Sequence, residues 1–333
     1  MNFTLIICTY KRRFALQNLL ESVKIQTQYP NEILIIDGSP DNETKLFLEQ
    51  TEYQNLKYYK VSEQDRGLTK QRNYGIARVS NTSKIVCFLD DDTILDTKYF
   101  QNIIQTYIKY PEAVGVGGYI TNEVKWIKIE PNEIQTPNYF YFDGFKRSDP
   151  LRFKMRKKLG LDSNVPPGFS PMFSHGRSVG FLPPSSKIYQ VEQLMGGVSS
   201  FKKEIFNKIQ FSTYFEGYGL YEDADFTIRL AKTGKLFINT AAQLEHHHNA
   251  AGRPNKYSYG KMVVRNGWYV WRVKNPNPKL IDRLKWNAIT LLLTIIRATN
   301  IINTQKKKEA LTEVLGRFSG GLSLIWNAPK TKK

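Results

Sequence analysis

The run Ile85-Val86-Cys87-Phe88-Leu89-Asp90-Asp91-Asp92 constrains this chain more than any other segment. Its apolar residues, rich in β-branched and aromatic side chains, read as a strand buried on both faces of a parallel sheet. The run stops abruptly at three carboxylates, which therefore sit at the carboxyl end of the strand. Open α/β sheets place their ligand crevices at that edge. Adjacent acids repel one another, and folding alone gives no reason to gather them. Something positive must balance them, and a divalent cation carrying a phosphate meets that need.

Strand and helix patterns alternate around this run, the α/β signature. Strands are predicted at Thr4–Cys8, Glu32–Asp37, Leu56–Val61, Lys84–Leu89 and Ala113–Ile120. Between them, helical patterns cover Phe14–Gln26, Asp41–Gln50, Leu68–Arg78 and Thr97–Tyr110. From Thr121 to Gln190 the pattern fails, punctuated by Pro131, Pro137, Pro166-Pro167, Pro171 and Pro183-Pro184. A long irregular segment of this kind is expected to be a binding loop or lid. Order resumes at Met195-Gly196-Gly197. A helix is predicted over Tyr221–Thr233, ending near Gly234, and a strand toward Ala242–His247. The expected layout is an α/β domain at 1–250, with an irregular insert at 121–190, and a basic helical region at 251–333. Its sheet is expected to be mostly parallel and flanked by helices.

A hydrophobic fraction of 41% and an aromatic fraction of 13% exclude a disordered chain. Cys8 and Cys87 are the only cysteines, and both fall in strand-like runs. With no disulfide framework or zinc spacing, a reducing, cytoplasmic setting is expected. The start, Met1–Cys8, has no basic leader and no cleavage site, and reads as a first strand. Of the net charge of +18, the region from Ala251 onward contributes +14, from 17 Lys and Arg against 3 acids. Such a tail suits an anionic membrane surface at the inner face of the cell membrane, or a basic bundle packed on the rest of the chain. Its apolar run Ala288–Ile296 is too short to span the bilayer, which needs about 20 residues. Trp268, Tyr269, Trp271 and Trp286 interleave with basic residues, as in nucleic-acid binders. No nucleic-acid motif accompanies them, so a nucleic-acid partner is not expected.

Three further clusters carry chemistry. Asp37 closes a strand and can accept hydrogen bonds from a ribose or a base. The acids of Tyr221-Glu222-Asp223-Ala224-Asp225-Phe226 suit a first helical turn, or supply a general base whose pKa burial and like charges raise. Glu245-His246-His247-His248 holds three of the four histidines, and neutral imidazole ligates transition metals. Strand alternation puts His246 and His248 on one face and His247 on the other. Asp65-Arg66-Gly67, with Arg72-Asn73, joins a turn to a helix bearing basic groups.

Taken in order, Ile7–Arg12, Asp37-Gly38-Ser39, Asp65-Arg66-Gly67 with Arg72-Asn73, Asp90-Asp91-Asp92, Met195-Gly196-Gly197 and Glu222–Phe226 with Arg229 resemble the family 2 glycosyltransferases. The resemblance covers about Met1–Asn249 and fades across Thr121–Gln190. It implies the glycosyltransferase-A fold, a nucleotide-sugar donor, a divalent metal (Mn2+ or Mg2+) and inversion at the anomeric carbon. On that resemblance, Thr9, Tyr10 and Arg12 line the nucleotide pocket. Asp37 holds the base or ribose, with Asp65 and Arg72 nearby, and Asp91 faces the ribose. Asp90 and Asp92 match the outer acids of the DxD motif, with Asp92 the direct metal ligand. Asp223 matches the base, with Glu222 the fallback. One of His246, His247 and His248 completes the metal site or touches the diphosphate.

A UDP-sugar donor and a glycan or lipid-linked acceptor are expected, in the synthesis of cell-surface polysaccharide. Cys8 stands where the family often has proline, and the 121–190 stretch is longer than in compact relatives. The competing readings are a nucleic-acid-binding protein, a catalytically inactive partner protein, and a nucleotidyltransferase. The last should show a basic, Gly-rich activating loop near the N-terminus, and none is present.

Overall fold

Buried apolar runs set the layout of the first unit, Met1–Lys125 with Val179–Gly252, in the computed structural model, which describes residues 1–215, 217–248 and 254–331. The first stretch runs β1 (Phe3–Thr9), α1 (Arg13–Lys24), β2 (Glu32–Asp37), α2 (Glu43–Glu49), β3 (Leu56–Lys60), α3 (Leu68–Ile76), β4 (Ile85–Asp90), β5 (Thr93–Leu95), α4 (Tyr99–Lys109) and β6 (Ala113–Ile120). Trp126–Ser178 belongs to a second unit and carries β7 (Ile127–Lys128), β8 (Tyr139–Phe142), β9 (Phe145–Ser148) and α5 (Leu151–Lys158). The first unit then resumes with β10 (Ile188–Val191), β11 (Val198–Lys202), α6 (Glu222–Leu230) and β12 (Lys235–His246). The helices α7 (Lys256–Lys274), α8 (Leu280–Asn303) and α9 (Lys307–Trp326) complete the second unit.

Every element expected before Thr121 forms. The main sheet runs β10-β12-β6-β11-β4-β1-β2-β3, with β5 on β12. The pairs β1–β2, β2–β3, β1–β4 and β6–β12 are parallel, and β11 inserts antiparallel between β4 and β6. The chain winds outward from β1 through β2 to β3, then returns to β4 on the other side of β1. That reversal is the switch point at which open sheets bind ligands, and Thr9 and Asp90 lie at its carboxyl edge.

Alternate residues of β1, β2 and β4 bury Leu5, Ile7, Ile33, Ile35, Cys87 and Leu89 under α1 and α4. On the other face, α3 lies so close that a Cβ on Gly75 would fall 2.9 Å from Ile6. Phe226 of α6 stacks on Phe211 at 4.2 Å and meets Phe201 at 5.0 Å, while Phe88 of β4 meets Phe211 at 5.5 Å. These aromatics anchor the helix that carries the second acid cluster to the strand that carries the first.

The 121–190 stretch is more regular than its prolines suggest. It holds the strands β7 to β9, α5 and most of β10, and it divides between the two units. Asp143 and Gly144 both adopt positive φ, 47° and 78°, and turn β8 into β9. Asp-Gly is the residue pair that such a two-residue hairpin demands. In the same unit, α7 and α9 meet at Gly260 and Gly316, where a Cβ would overlap the facing backbone, and Trp271 stacks on Trp286 at 5.3 Å.

Candidate active site

The three acids at the end of β4 meet two arginines and a histidine. Asp90 lies 3.6 Å from Arg72 Nη2. Asp91 is buried and accepts Thr9 Oγ1 at 2.7 Å and Arg12 Nη1 at 3.0 Å. Asp92 meets Arg12 Nη1 at 3.4 Å and His246 Nε2 at 3.1 Å. Burial pushes the Asp91 carboxyl up to about 6 even with Arg12 and Thr9 pulling it down.

The histidine arrives by a pairing that residue patterns do not announce. β5 runs antiparallel to β12, with Thr93 opposite His246, and the His247 amide donates to the Asp92 carbonyl at 2.8 Å. Asn122, just past β6, brackets the His246 backbone by accepting its N–H at 3.0 Å and donating to its C=O at 3.1 Å. Glu123 accepts from the ring, 3.2 Å from His246 Nδ1, so Nε2 faces Asp92. Burial lowers the His246 pKa, but its bonds to Asp92 and Glu123 outweigh that and lift it to about 10. The bond to His246 in turn lowers the pKa of Glu123.

The second acid cluster divides by burial. Glu222 is buried and paired with Arg72, and its Oε2 has no hydrogen-bond partner among the described residues. Burial drives the Glu222 carboxyl up to about 8 against the pull of Arg72. Asp225 is fully buried against Arg229 at 2.7 Å. Asp223 is half-buried; its oxygens accept Gly196 N–H at 3.1 Å and Ala224 N–H at 2.7 Å. Burial raises its pKa, and the two amide bonds oppose that. Tyr221, at φ 70°, turns the chain into this cluster from a left-handed conformation that non-glycine residues rarely adopt.

The glycines before β11 make room for the acids. A Cβ on Gly197 would overlap the Asp90 carboxylate, and one on Gly196 would fall 2.5 Å from Glu222 Oε1 and 2.7 Å from Arg72 Nη1.

Not every expected residue joins this group. The rings of His246 and His248 meet at a tilt of 57° with centroids 4.1 Å apart, whereas His247 turns to Glu245 at 2.9 Å, the division that alternation along the chain predicts. Asp37 is fully buried and accepts Ser39 N–H at 2.7 Å and Tyr58 O–H at 2.9 Å. Asp65 is exposed and accepts Ser62 Oγ at 3.1 Å. Tyr10 lies beside Arg66, whose guanidinium is 5.8 Å from its ring. Two further residues, Asn122 and Glu123, carry no motif. Their only sequence signal is that they follow a predicted strand at its carboxyl end.

Asp90, Asp92 and His246 present ligand atoms within 4.8 Å of one another, and Glu123, His246 and His248 do the same. Carboxylate and imidazole donors suit Mn2+ among divalent cations, and Mg2+ where carboxylate predominates. Six carboxyl groups (Asp90, Asp91, Asp92, Glu123, Glu222, Asp223) face Arg12, Arg72 and His246, an excess of negative charge that a divalent cation would reduce.

The sequence matches glycosyl transferase family 2 over residues 4–174 and the N-terminal domain of galactosyltransferase over 177–249. The chain belongs to glycosyl transferase family 2. It is 26% identical over 147 residues to a glucosyl-dolichyl phosphate glucuronosyltransferase of Haloferax volcanii, covering 43% of this chain and 44% of that one. It is also 26% identical over 118 residues to the O-antigen chain rhamnosyltransferase RfbN of Salmonella typhimurium, covering 35% and 37%. The chain thus spans less than half the length of either relative.

Solved structures share the glycosyltransferase-A fold. The mannosyltransferase PcManGT of Pyrobaculum calidifontis, in complex with GDP-Man and Mn2+, aligns over 98% of this chain and 88% of its own at TM-score 0.53 and 13% identity. S. aureus TarS 1-349 in complex with UDP aligns over 94% and 80% at TM-score 0.51 and 14% identity.

Proposed function

We propose that this protein transfers a sugar from a nucleoside-diphosphate sugar to an acceptor hydroxyl, with inversion at the anomeric carbon. The observation that carries this reading is the meeting of Asp90, Asp92 and His246 at the sheet's switch point, with half-open Asp223 bonded to the loop that shapes Asp90. Asp90, Asp92 and His246 would hold a divalent cation, Mn2+ or Mg2+, which when bound stabilises the charge developing on the departing diphosphate. The acceptor oxygen attacks the anomeric carbon, Asp223 takes the hydroxyl proton, and the bond from that carbon to the diphosphate oxygen breaks. Raised by burial, Asp223 is a better proton acceptor than a solvated aspartate. Arg72 spans Asp90 and Glu222, which makes Glu222 a positioning residue and leaves the base to Asp223.

Thr9 and Arg12 both bond Asp91, and with Tyr10, Asp37 and Asp65 these residues would line the nucleotide pocket. A UDP-sugar is the first donor to test, because TarS was solved with UDP. A glycan or lipid-linked acceptor fits the relatives' names, an O-antigen chain and a dolichyl phosphate. Cell-surface polysaccharide synthesis on the cytoplasmic side accords with those names and with two free cysteines.

Thermal unfolding with a panel of nucleoside diphosphates, each with and without Mn2+ or Mg2+, tests the reading. A ligand at 100 times its dissociation constant adds about 2.7 kcal/mol. A metal-dependent shift with one diphosphate is expected. No shift with any of them in folded protein would favour the inactive-partner reading.

A further inference from the structure

Among the described residues, 25 large hydrophobic side chains are exposed, and 12 of these lie on α8 and α9. They are not scattered. On α8, Leu280, Leu284, Leu291, Ile295 and Ile302 follow steps of four and seven residues. On α9, Leu311, Leu315, Phe318, Leu322 and Ile325 follow steps of four and three. Those steps return to one helical face, so each helix carries a continuous apolar stripe turned outward. Leu291 of one stripe and Phe318, Leu322 and Ile325 of the other line a single groove of about 480 Å³ with Trp268 and Trp286. A patch of this extent on a soluble surface marks an interaction site.

Charge selects the occupant. Over α7 to α9 the sequence has 13 Lys and Arg against 3 acids. One of those acids, Glu313, is buried and held by Arg297 and Arg317 at 2.9 Å each. Lys306, Lys307 and Lys308 are exposed where the turn after α8 enters α9, near Ile302 and Leu311 in the chain. At the opposite end, exposed Lys279 and Arg283 flank Leu280 and Leu284, and Trp326 is 76% exposed. A second copy would bring the same basic groups against these, which repel. An anionic surface complements them. No helix among the described residues is long and apolar enough to cross a membrane, so such a face lies in the interface instead.

We propose that α8 and α9 form a membrane-binding face for anionic bilayers, with the two stripes in the acyl boundary and the terminal lysines on lipid phosphates. Tryptophan at a stripe's end suits the headgroup layer. The proposal is independent of the transfer chemistry.

Flotation of the full chain with phosphatidylcholine vesicles, with and without phosphatidylglycerol, tests it across a salt series. Strong partitioning onto the phosphatidylglycerol vesicles at low salt is expected, and weak partitioning onto phosphatidylcholine alone. The triple variant Lys306→Gln/Lys307→Gln/Lys308→Gln should weaken partitioning about a hundredfold at low ionic strength. Leu315→Ser/Leu322→Ser/Ile325→Ser should abolish it. Leu284→Ser/Leu291→Ser/Ile295→Ser on the other helix guards against misfolding of the first apolar variant, and circular dichroism checks both. Failure of the unaltered protein to float with anionic vesicles overturns the proposal. So does floating that ignores lipid charge and salt, or a dimer in light scattering that both apolar variants break while vesicle binding stays absent. Nucleoside-diphosphate binding on the same samples reports the donor site separately.

Discussion

Arg72→Met removes a charge on which two acids depend, and the structure sets the size of the effect. The side chains of Arg72 and Glu222 are 3% and 5% exposed. Without the guanidinium, Glu222 Oε1 loses its partner, while Oε2 already has none among the described residues. Asp90 also loses the cation 3.6 Å away. Methionine keeps the apolar contact with Phe211 and Phe88, whose ring centroids lie 5.2 and 5.7 Å from the guanidinium carbon, so lost packing contributes little. Removing one partner of a buried pair costs about 3–5 kcal/mol, whereas replacing both by apolar groups is often neutral or stabilising.

Above pH 8, where Glu222 is ionised, the single variant should therefore be destabilised by about 3–5 kcal/mol, and Arg72→Met/Glu222→Met should recover most of that loss. Urea unfolding followed by far-ultraviolet circular dichroism, over the full double-mutant cycle, reads the coupling. Glu222→Met alone should cost less than Arg72→Met, because Arg72 keeps Asp90. Additive losses in the double variant, or a cost below about 1 kcal/mol for Arg72→Met, would refute a buried pair as the support of the site.

Asp223→Asn should lower turnover by about 10²–10⁴-fold with nucleotide affinity kept; normal turnover with lost binding, in single-turnover kinetics and calorimetry, would reverse its assignment. Gly197→Ala should push the Asp90 carboxylate aside and weaken metal binding about 10–100-fold in Mn2+ titration, with the melting temperature little changed. Glu123→Gln should weaken Mn2+ binding by a similar factor of about 10–100, because it frees the ring that Glu123 orients. In metal-free protein, His246 is raised from 6.5 to about 10, so its stabilisation is complete below pH 6.5 and lost as pH climbs toward 10. Stability should fall across that window by up to about 1.4 kcal/mol per pH unit, and His246→Gln should flatten the slope in urea unfolding.

Strands β1, β2 and β4 were legible because both of their faces are buried, which leaves near-continuous apolar runs that polar residues end. Asp90, Asp92 and Asp223 were legible because they sit at the ends of such elements. His246 was legible as a ligand type but not as a neighbour of Asp92. That proximity depends on β5, three residues long, pairing with a strand about 150 residues away, and no local pattern encodes a distant register. Glu123 and Asn122 act only through that register and have no signature of their own. Arg72 reads as part of a basic helix face, yet it is 2% exposed, because its direction depends on how α3 lies against the sheet. The hairpin at Asp143-Gly144 is a different case, for its turn signal is local and stands in the sequence among the prolines.

Sequence logic demands that something balance Asp90, Asp91 and Asp92, and a metal is one answer. The protein supplies another within its own chain: Arg72 stands against Asp90, Arg12 against Asp91 and, at 3.4 Å, Asp92, and His246 against Asp92. The three cations are not equivalent. Arg72 and Arg12 stay charged at any working pH, so Asp91 and the Arg72 side of Asp90 are permanently balanced. His246 alone can give up its charge, and its Nε2 proton lies on the side that faces Asp92. A divalent cation taken up by Asp90, Asp92 and His246 must displace that proton. Metal-free protein would then remain folded with the histidine as counter-ion, and metal uptake would release protons and tighten as pH rises. Calorimetric Mn2+ titrations in buffers of different ionisation enthalpy should show about one proton released per cation near neutral pH, and none in His246→Gln. Equal proton release by the two proteins would mean that His246 does not hold the place of the metal.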